Sequence, residues 1–421
     1  PENWEVVDFR NVAELKHGYQ FRNYDFTDKG IKIFKITQIK GDGIADISSC
    51  SYIDINRIDE FKRVILNKGD ILIALTGATI GKVARFNFDE IVLQNYRVGN
   101  FIPLNENILN KEYFFQFLKS DFFFNQILAN QTQSAQQNIG KEDINNMSVV
   151  LPPLPEQKAI ANILSVIDAK IENNLAINKT LEEMGMALYK EWFVDFGPFQ
   201  DGKFIESELG MIPEGWEVKR LDEVCEKIFS GGTPSTKNKE YWGGDIPWLS
   251  SGETREGFVI KTDKMITSLG LKSSSAKMAE VNDVVIASAG QGKTRGQTSL
   301  LFINTSINQS VLVLRANSKV ILPETLYIDL AMRYEEFRMI SDSYSTRGSL
   351  TKDLISNQIK LALSNIEIMD SFNDLIKPFF NKIRSNLFQN ENLTQLRDTL
   401  LPKLISGEVR LKEFDLEAVL E

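Results

Sequence analysis

The sequence predicts an α+β fold built twice: two α/β globules separated by two long antiparallel helices that form a coiled coil, a pseudo-twofold tandem repeat. Three observations predict it. Short motifs recur in the same order at a near-constant offset. Runs rich in β-branched and aromatic residues, bounded by Gly, Asn, Asp and Ser clusters, fill the first part of each copy. A heptad-spaced apolar seam then closes each copy.

The repeat is visible from its start. Trp4-Glu5-Val6 returns as Trp216-Glu217-Val218. Lys68-Gly69-Asp70-Ile71-Leu72-Ile73 returns as Val281-Asn282-Asp283-Val284-Val285-Ile286, and Gln94-Asn95 as Asn308-Gln309. Ile139-Gly140-Lys141 is echoed by Leu350-Thr351-Lys352. Each match is weak alone, but a shared order with a steady offset is the mark of a duplicated unit. Within the globules, Ile31–Ile36, Asp70–Leu75, Asp283–Ala287 and Ser310–Leu314 read as strands. Lys111–Ala129 and Pro323–Ser341 read as helices.

The second part of each copy carries the seam. Ile160, Leu164, Ile167, Ile171, Leu181, Leu188 and Trp192 alternate spacings of four and three, the coiled-coil pattern. Ile376, Phe379, Ile383, Leu393, Leu400 and Leu404 repeat it. Positions 160–192 would span ~50 Å at ~1.5 Å per residue. Leu151-Pro152-Pro153-Leu154-Pro155 marks one start, since proline suits a first helical turn. Pro378 reads as a first-turn or kink residue, and Pro402 with Ser406-Gly407 as an end signal. Asn174 and Asn178 interrupt one seam, and Asn386 and Asn390 interrupt the other at matching places. In antiparallel helices Asn174 would face Asn390 and Asn178 would face Asn386. A buried seam Asn lowers stability but fixes register. The expected boundaries are 1–151 for the first globule, 152–197 for its helix, 198–360 for the second globule and 361–421 for the last helix. The globules are expected to fold without the helices.

Composition narrows the function. No window holds the ~20 apolar residues of a membrane span. Pro1–Glu5 shows no leader pattern, and Cys50 and Cys225 stand far apart, so a reducing, cytoplasmic setting is expected. His17 is the only histidine and reads as a surface loop residue; a Ser-His or Cys-His relay has no support, and a zinc site lacks its ligands. The formal net charge of −9 disfavours a nucleic-acid partner until it is divided. Residues 1–150 carry −2, 151–215 carry −6, 216–360 carry +2 and 361–421 carry −3. The acid therefore lies mainly outside the globules, and a near-neutral globule can still present a basic face.

At this point the residues resemble a known family. The Leu151-Pro-Pro-Leu-Pro-Glu156-Gln157-Lys158-Ala-Ile160-Ala-Asn-Ile163-Leu164 block, with Asp168-Ala-Lys170-Ile171, is similar to the region after a target-recognition domain in specificity subunits of type I restriction-modification systems. So are Glu214-Gly215-Trp216-Glu217-Val218, Ser230-Gly-Gly-Thr-Pro234, Asp245-Ile246-Pro247-Trp248-Leu249 and Leu400-Leu401-Pro402-Lys403-Leu404-Ile405-Ser406-Gly407-Glu408-Val409. The first globule lacks the Ser-Gly-Gly-Thr-Pro stretch. The resemblance implies that each globule reads one half of a split, non-palindromic DNA target. It implies that the helices set the gap and bind two methyltransferase subunits, and that motor-nuclease (restriction) subunits join them. It further implies a non-catalytic chain that binds no cofactor, with S-adenosylmethionine, ATP and Mg used by its partners. The acidic helical segments suit such a protein partner on residues 152–192 and 372–404.

Double-stranded DNA favours Lys, Arg and small polar groups at phosphates, and Arg, Lys, Asn and Gln at base edges. In the first globule the candidates are Lys40, Lys82, Arg85, Gln133, Gln136, Gln137 and Lys141. In the second they are Thr236, Lys237, Lys239, Lys293, Arg295, Gln297, Arg347 and Lys352. Ordinary solvated connectors would carry similar residues; recurrence after corresponding strands favours a shared role. Trp242 and Trp248 read as packing residues. Ala287-Ser-Ala-Gly290-Gln-Gly292-Lys293-Thr294 nearly matches a phosphate-binding loop, but Ala287 stands where bare glycine backbone must approach the phosphates. The alternative to a DNA reader is a coiled-coil scaffold that binds no DNA.

Overall fold

The computed structural model describes residues 3–40, 43–130, 138–290, 293–344 and 349–411. Two compact units divide the chain: Pro1–Ile171 with Asn392–Glu421, and Glu172–Glu391. The division falls inside both long helices, Leu154–Tyr189 and Ile366–Ser406, so each unit owns part of each helix.

The two units share one plan. In the first, a five-stranded sheet runs in the order Ala13–His17, Val98–Pro103, Asp70–Ala74, Val83–Phe86, Gly43–Ile44. In the second the order is Cys225–Ser230, Val311–Ala316, Val284–Ala287, Thr298–Leu301, Phe258–Val259. The central strand is a continuous apolar run because it is covered on both faces. Ile71 and Ile73 join the core under the helices, whereas Leu72 and Ala74 join a second core with Phe34 and Val92. Val284 and Ile286 part from Val285 in the same way. This period-two division builds a sheet with helices on one face and a four-stranded sheet on the other.

The four-stranded sheets differ at their edges. Ile31–Phe34 lies parallel to Val92–Gln94, and Trp242–Leu249 lies parallel to Thr305–Ile307. The first unit adds Phe26–Thr27 at one edge; the second adds Lys277–Ala279 at the other.

Several sequence-based expectations need correction. Lys111–Ala129 is two helices, Lys111–Lys119 and Asp121–Ala129. Ser120 divides them, its Oγ donating to the Phe117 carbonyl at 2.6 Å and accepting from the Phe123 amide. Pro323–Met332 and Tyr334–Tyr344 are divided at Arg333. His17 ends a strand and is exposed rather than lying in a loop. Pro378 does not open the last helix. Asn365 does, accepting from the Ile368 amide at 3.0 Å, and Pro378 sits exposed in the interior. Pro402 is also interior, and the helix stops at Gly407, whose φ of 72° is the left-handed cap geometry glycine adopts without Cβ strain. Phe380 and Leu401 are the buried seam residues in place of Phe379 and Leu400.

The helices run antiparallel within each unit. In the second, Asn174 Nδ2 donates to Asn390 Oδ1 at 2.8 Å, and Asn386 Nδ2 donates to Asn178 Oδ1 at 2.8 Å. Asn174 also donates to Gln389 Oε1. Asn174 Oδ1, Asn178 Nδ2 and Asn386 Oδ1 are buried with no partner, a cost that an apolar pair would avoid. In the first unit, Asp168 meets Arg397 at 3.2 Å. The same unit buries Ile160, Leu164, Leu401, Leu404 and Ile405 in one core with Leu15, Ile71 and Phe101. The helices therefore contribute to the globular cores.

Candidate nucleic-acid interface

In each unit a tight turn gathers three segments; all three adjoin loops singled out in the sequence in the second unit, whereas in the first the Gly18-Tyr19 segment stands where the Lys40 loop was expected. In the first, the turn is Asn95-Tyr96-Arg97-Val98, closed by the Val98 amide on the Asn95 carbonyl at 3.0 Å. The Asn95 side chain accepts from the Arg97 amide at 3.2 Å, the local bonding that suits Asn to turns. Tyr19 donates its amide to the Gln94 carbonyl and accepts from the Tyr96 amide, both at 2.9 Å. Leu75 donates to the Arg97 carbonyl at 2.9 Å, and Ile139 donates to the Leu75 carbonyl at 3.0 Å. Three distant segments thus meet there.

The second unit repeats the construction. Asn308 Oδ1 accepts from the Ser310 amide at 2.9 Å. Gly231 and Gly232 donate to the Asn308 and Ile307 carbonyls at 3.3 and 3.0 Å. Ser288 donates to the Ser310 carbonyl at 2.9 Å, and Leu350 to the Ser288 carbonyl at 2.8 Å. The approach demands glycine in both copies: a Cβ on Gly18 would stand 2.1 Å from the Gln94 carbonyl oxygen, and one on Gly231 2.1 Å from that of Ile307. Gly18 is thus the first unit's counterpart of Gly231, despite the missing Ser-Gly-Gly-Thr-Pro stretch. Asn95 corresponds to Asn308, one position away from the register read in the sequence.

The candidates fall into three groups. Lys40 and Lys82 are exposed and line one cleft of about 230 Å³ with Lys119 and Arg397. Lys40 Nζ also donates to the Thr37 carbonyl at 3.0 Å. Lys141 is exposed at the start of the helix Lys141–Asn145 and 3.7 Å from Glu14. In the second unit, Thr236, Lys237 and Lys239 are exposed in the loop before Trp242. Trp242 Nε1 donates to the Ser235 carbonyl at 3.2 Å and Trp248 Nε1 to the Gly232 carbonyl at 3.3 Å, so both indoles brace this loop. Lys293 is exposed, with its carbonyl held by the Tyr334 hydroxyl at 2.8 Å; Gln297 is half-buried beside it. Lys352 is exposed and lines a groove with Lys227, Lys277 and Arg315.

Two arginines are committed inside the fold. Arg85 pairs with Glu112 and lies 4.3 Å over the Phe115 ring. Arg295 is buried and pairs with Asp342. Gln133, Gln136, Gln137 and Arg347 lie outside the described residues. Sequence reasoning missed Tyr96, Arg97 and Gln309 at the turns, and Lys227 and Lys277 in the groove. A one-residue shift in aligning the copies would have brought the turn residues into view.

The described residues contain no group of three or more His, Cys, Asp or Glu able to hold a metal ion. No described helix is long and apolar enough to cross a membrane.

The sequence model of the type I restriction modification DNA specificity domain matches residues 1–183 and again 213–392. The chain belongs to that family. Several relatives match along most of the chain. The MjaVIII specificity subunit of Methanocaldococcus jannaschii is 31% identical, with 99% of this chain and 95% of the relative covered. The MjaIX specificity subunit of the same organism is 26% identical over 98% and 95%. The HindI specificity subunit of Haemophilus influenzae is 25% identical over 86% and 91%. A solved S subunit from M. genitalium shares the fold, with a TM-score of 0.59, 18% identity and 96% of each chain covered. Membership in a DNA specificity family sets aside the scaffold alternative, and the doubled match places one specificity domain on each repeat.

Proposed function

We propose that this chain is the DNA-reading subunit of a type I restriction-modification complex and reads one half of a split, non-palindromic target with each unit. The observation that carries this is the turn with three converging segments, placed alike in both units, with matching backbone bonds from Leu75 and Ser288 and from Ile139 and Leu350, and furnished with different side chains. Equal backbones with unequal side chains suit two different half-sites. The long helices set the gap between those half-sites.

The same helices are the docking surface for two methyltransferase subunits, and restriction subunits join that core. Two features support this. The segments are acidic by sequence, and both helices expose apolar side chains, Val166, Leu175 and Met184 on one, Leu375, Phe388 and Leu396 on the other; exposed apolar groups gathered on one element mark protein contacts. In this reading the chain is non-catalytic and cytoplasmic and binds no cofactor, while its partners use S-adenosylmethionine, ATP and Mg.

Duplex binding by the methyltransferase complex tests the reading. Affinity is expected to fall steeply between low and moderate salt as released counterions cease to favour binding. A complex that binds no duplex at low salt would overturn it.

A further inference from the structure

The two turns differ at their tips in a way that matches the chemistry of two different bases. In the first unit Arg97 is exposed. Its Nε donates to the Tyr96 hydroxyl at 2.9 Å, and the guanidinium lies 5.4 Å from the Tyr96 ring centroid. These contacts steady the side chain while its terminal nitrogens have no protein partner among the described residues. In the second unit Gln309 is exposed at the corresponding turn. Thr233 Oγ donates to one lone pair of Gln309 Oε1 at 2.6 Å, which fixes the amide orientation and leaves Nε2 as a donor and the second Oε1 lone pair as an acceptor. A steadied side chain loses less rotamer freedom on binding than a loose one.

A guanidinium donates two parallel hydrogen bonds to guanine O6 and N7, and a Gln amide both accepts from adenine N6 and donates to N7. The turns sit where three segments meet, so a duplex engaging those segments would bring its groove to the tips. We propose that the two turns are the base-reading points of their units, Arg97 taking a guanine and Gln309 an adenine in the major groove. The proposal rests on the chain being a DNA reader with one half-site per unit. It adds two residues to the candidates drawn from the basic loops, and it separates base readout at the turns from phosphate contact by Lys40, Lys82, Lys237 and Lys293.

The test is selection from a randomised duplex pool by the full chain in complex with its methyltransferase partner, unchanged and as Arg97→Ala, Gln309→Ala and Arg97→Gln. The unchanged complex should select a split motif. Arg97→Ala should lose about tenfold to hundredfold discrimination at one guanine in one half, with the other half unaltered. Gln309→Ala should do the same at one adenine in the other half. Arg97→Gln should turn the guanine preference towards adenine. Variants that select the unchanged motif, or that bind all sequences equally more weakly, would overturn the proposal, the latter by showing phosphate contact. If the unchanged complex selects a split motif and the variants leave it intact, only the turn proposal falls; if it selects none, the DNA-reading role falls with it.

Discussion

Asp168→Asn is a severe substitution for so small a change in shape. Asp168 Oδ2 accepts from Lys119 Nζ at 2.9 Å and Gln116 Nε2 at 2.8 Å, and Oδ1 accepts from Arg397 at 3.2 Å. The Lys119 and Arg397 side chains are only 8% and 5% exposed. Removing the charge between them leaves two buried cations facing a neutral amide. Breaking a buried charge pair costs about 3–5 kcal/mol; Arg397 keeps Asp398 at 2.9 Å, which places the expected loss near the lower figure. A loss of about 3 kcal/mol should lower the melting temperature of the first unit by roughly 6–12 °C, measured by calorimetry. The acid limb of stability should change too. Burial pushes the Asp168 carboxyl up, but the Lys119 charge and the bonds from Gln116, Lys119 and Arg397 outweigh it and hold it below its ordinary value. A depressed carboxyl contributes stability that is complete above the unfolded value, about 4, and is lost as pH falls through the lower folded value. Asp168→Asn should remove that portion of acid sensitivity. The second unit shows how the site is built without charge: Phe380, Ile328 and Gly185 occupy the matching positions, with a Cβ on Gly185 3.5 Å from Ile328 and 3.9 Å from Phe380. Asp168→Phe combined with Gln116→Ile, Lys119→Ala and Arg397→Ala should therefore recover the loss to within about 1 kcal/mol, since apolar replacement of a buried ion cluster is often neutral. A shift below about 1 °C in Asp168→Asn, or no recovery in the fourfold variant, would refute this reasoning.

Other substitutions probe the helices and the basic surface. Asn174→Leu with Asn390→Leu should raise stability by about 1–2 kcal/mol, the scale of an unsatisfied buried amide, and should broaden the distance distribution between spin labels at positions 166 and 396; an unchanged distribution would deny the Asn pairs a register role. Leu175→Glu with Phe388→Glu should block methyltransferase assembly, read by sedimentation, with the melting temperature of the chain held. Lys82→Ala should weaken duplex binding equally for all sequences and reduce the slope of log affinity against log salt by about 0.9; a sequence-dependent loss would make Lys82 a base reader.

The sequence made the duplication, the central strands and the heptad seams legible because each rests on a local period of apolar residues. Asp70–Leu75 and Asp283–Ala287 were readable as strands from their apolar runs, and Asn174 with Asn390 as a facing pair from spacing. The break at Ser120 was hidden inside an unbroken apolar helix pattern, because a capping hydroxyl competes with the helix through a single bond. Pro378 left two alternatives open in the sequence, a first turn or a kink, and its interior position removes the first. Arg397 carries no sequence signal of its partners; only the fold brings it to Asp168 and Lys119. The turn residues Arg97 and Gln309 were missed because their role depends on backbone bonds to Tyr19, Leu75, Gly231 and Ser288, which lie far away in the chain. Basic loops, in contrast, announce themselves by composition, which explains why Lys40, Lys82 and Lys293 were singled out and stand exposed, while Arg85 and Arg295 proved to be tied inside the fold.

The central claim is that two unequal units read two half-sites across a fixed gap. Mapping methylated adenines in DNA from cells that carry this chain with its methyltransferase partner tests it most directly. The expected result is a split motif whose two halves differ in sequence and whose gap is constant. A contiguous motif, a palindrome or a variable gap would contradict it.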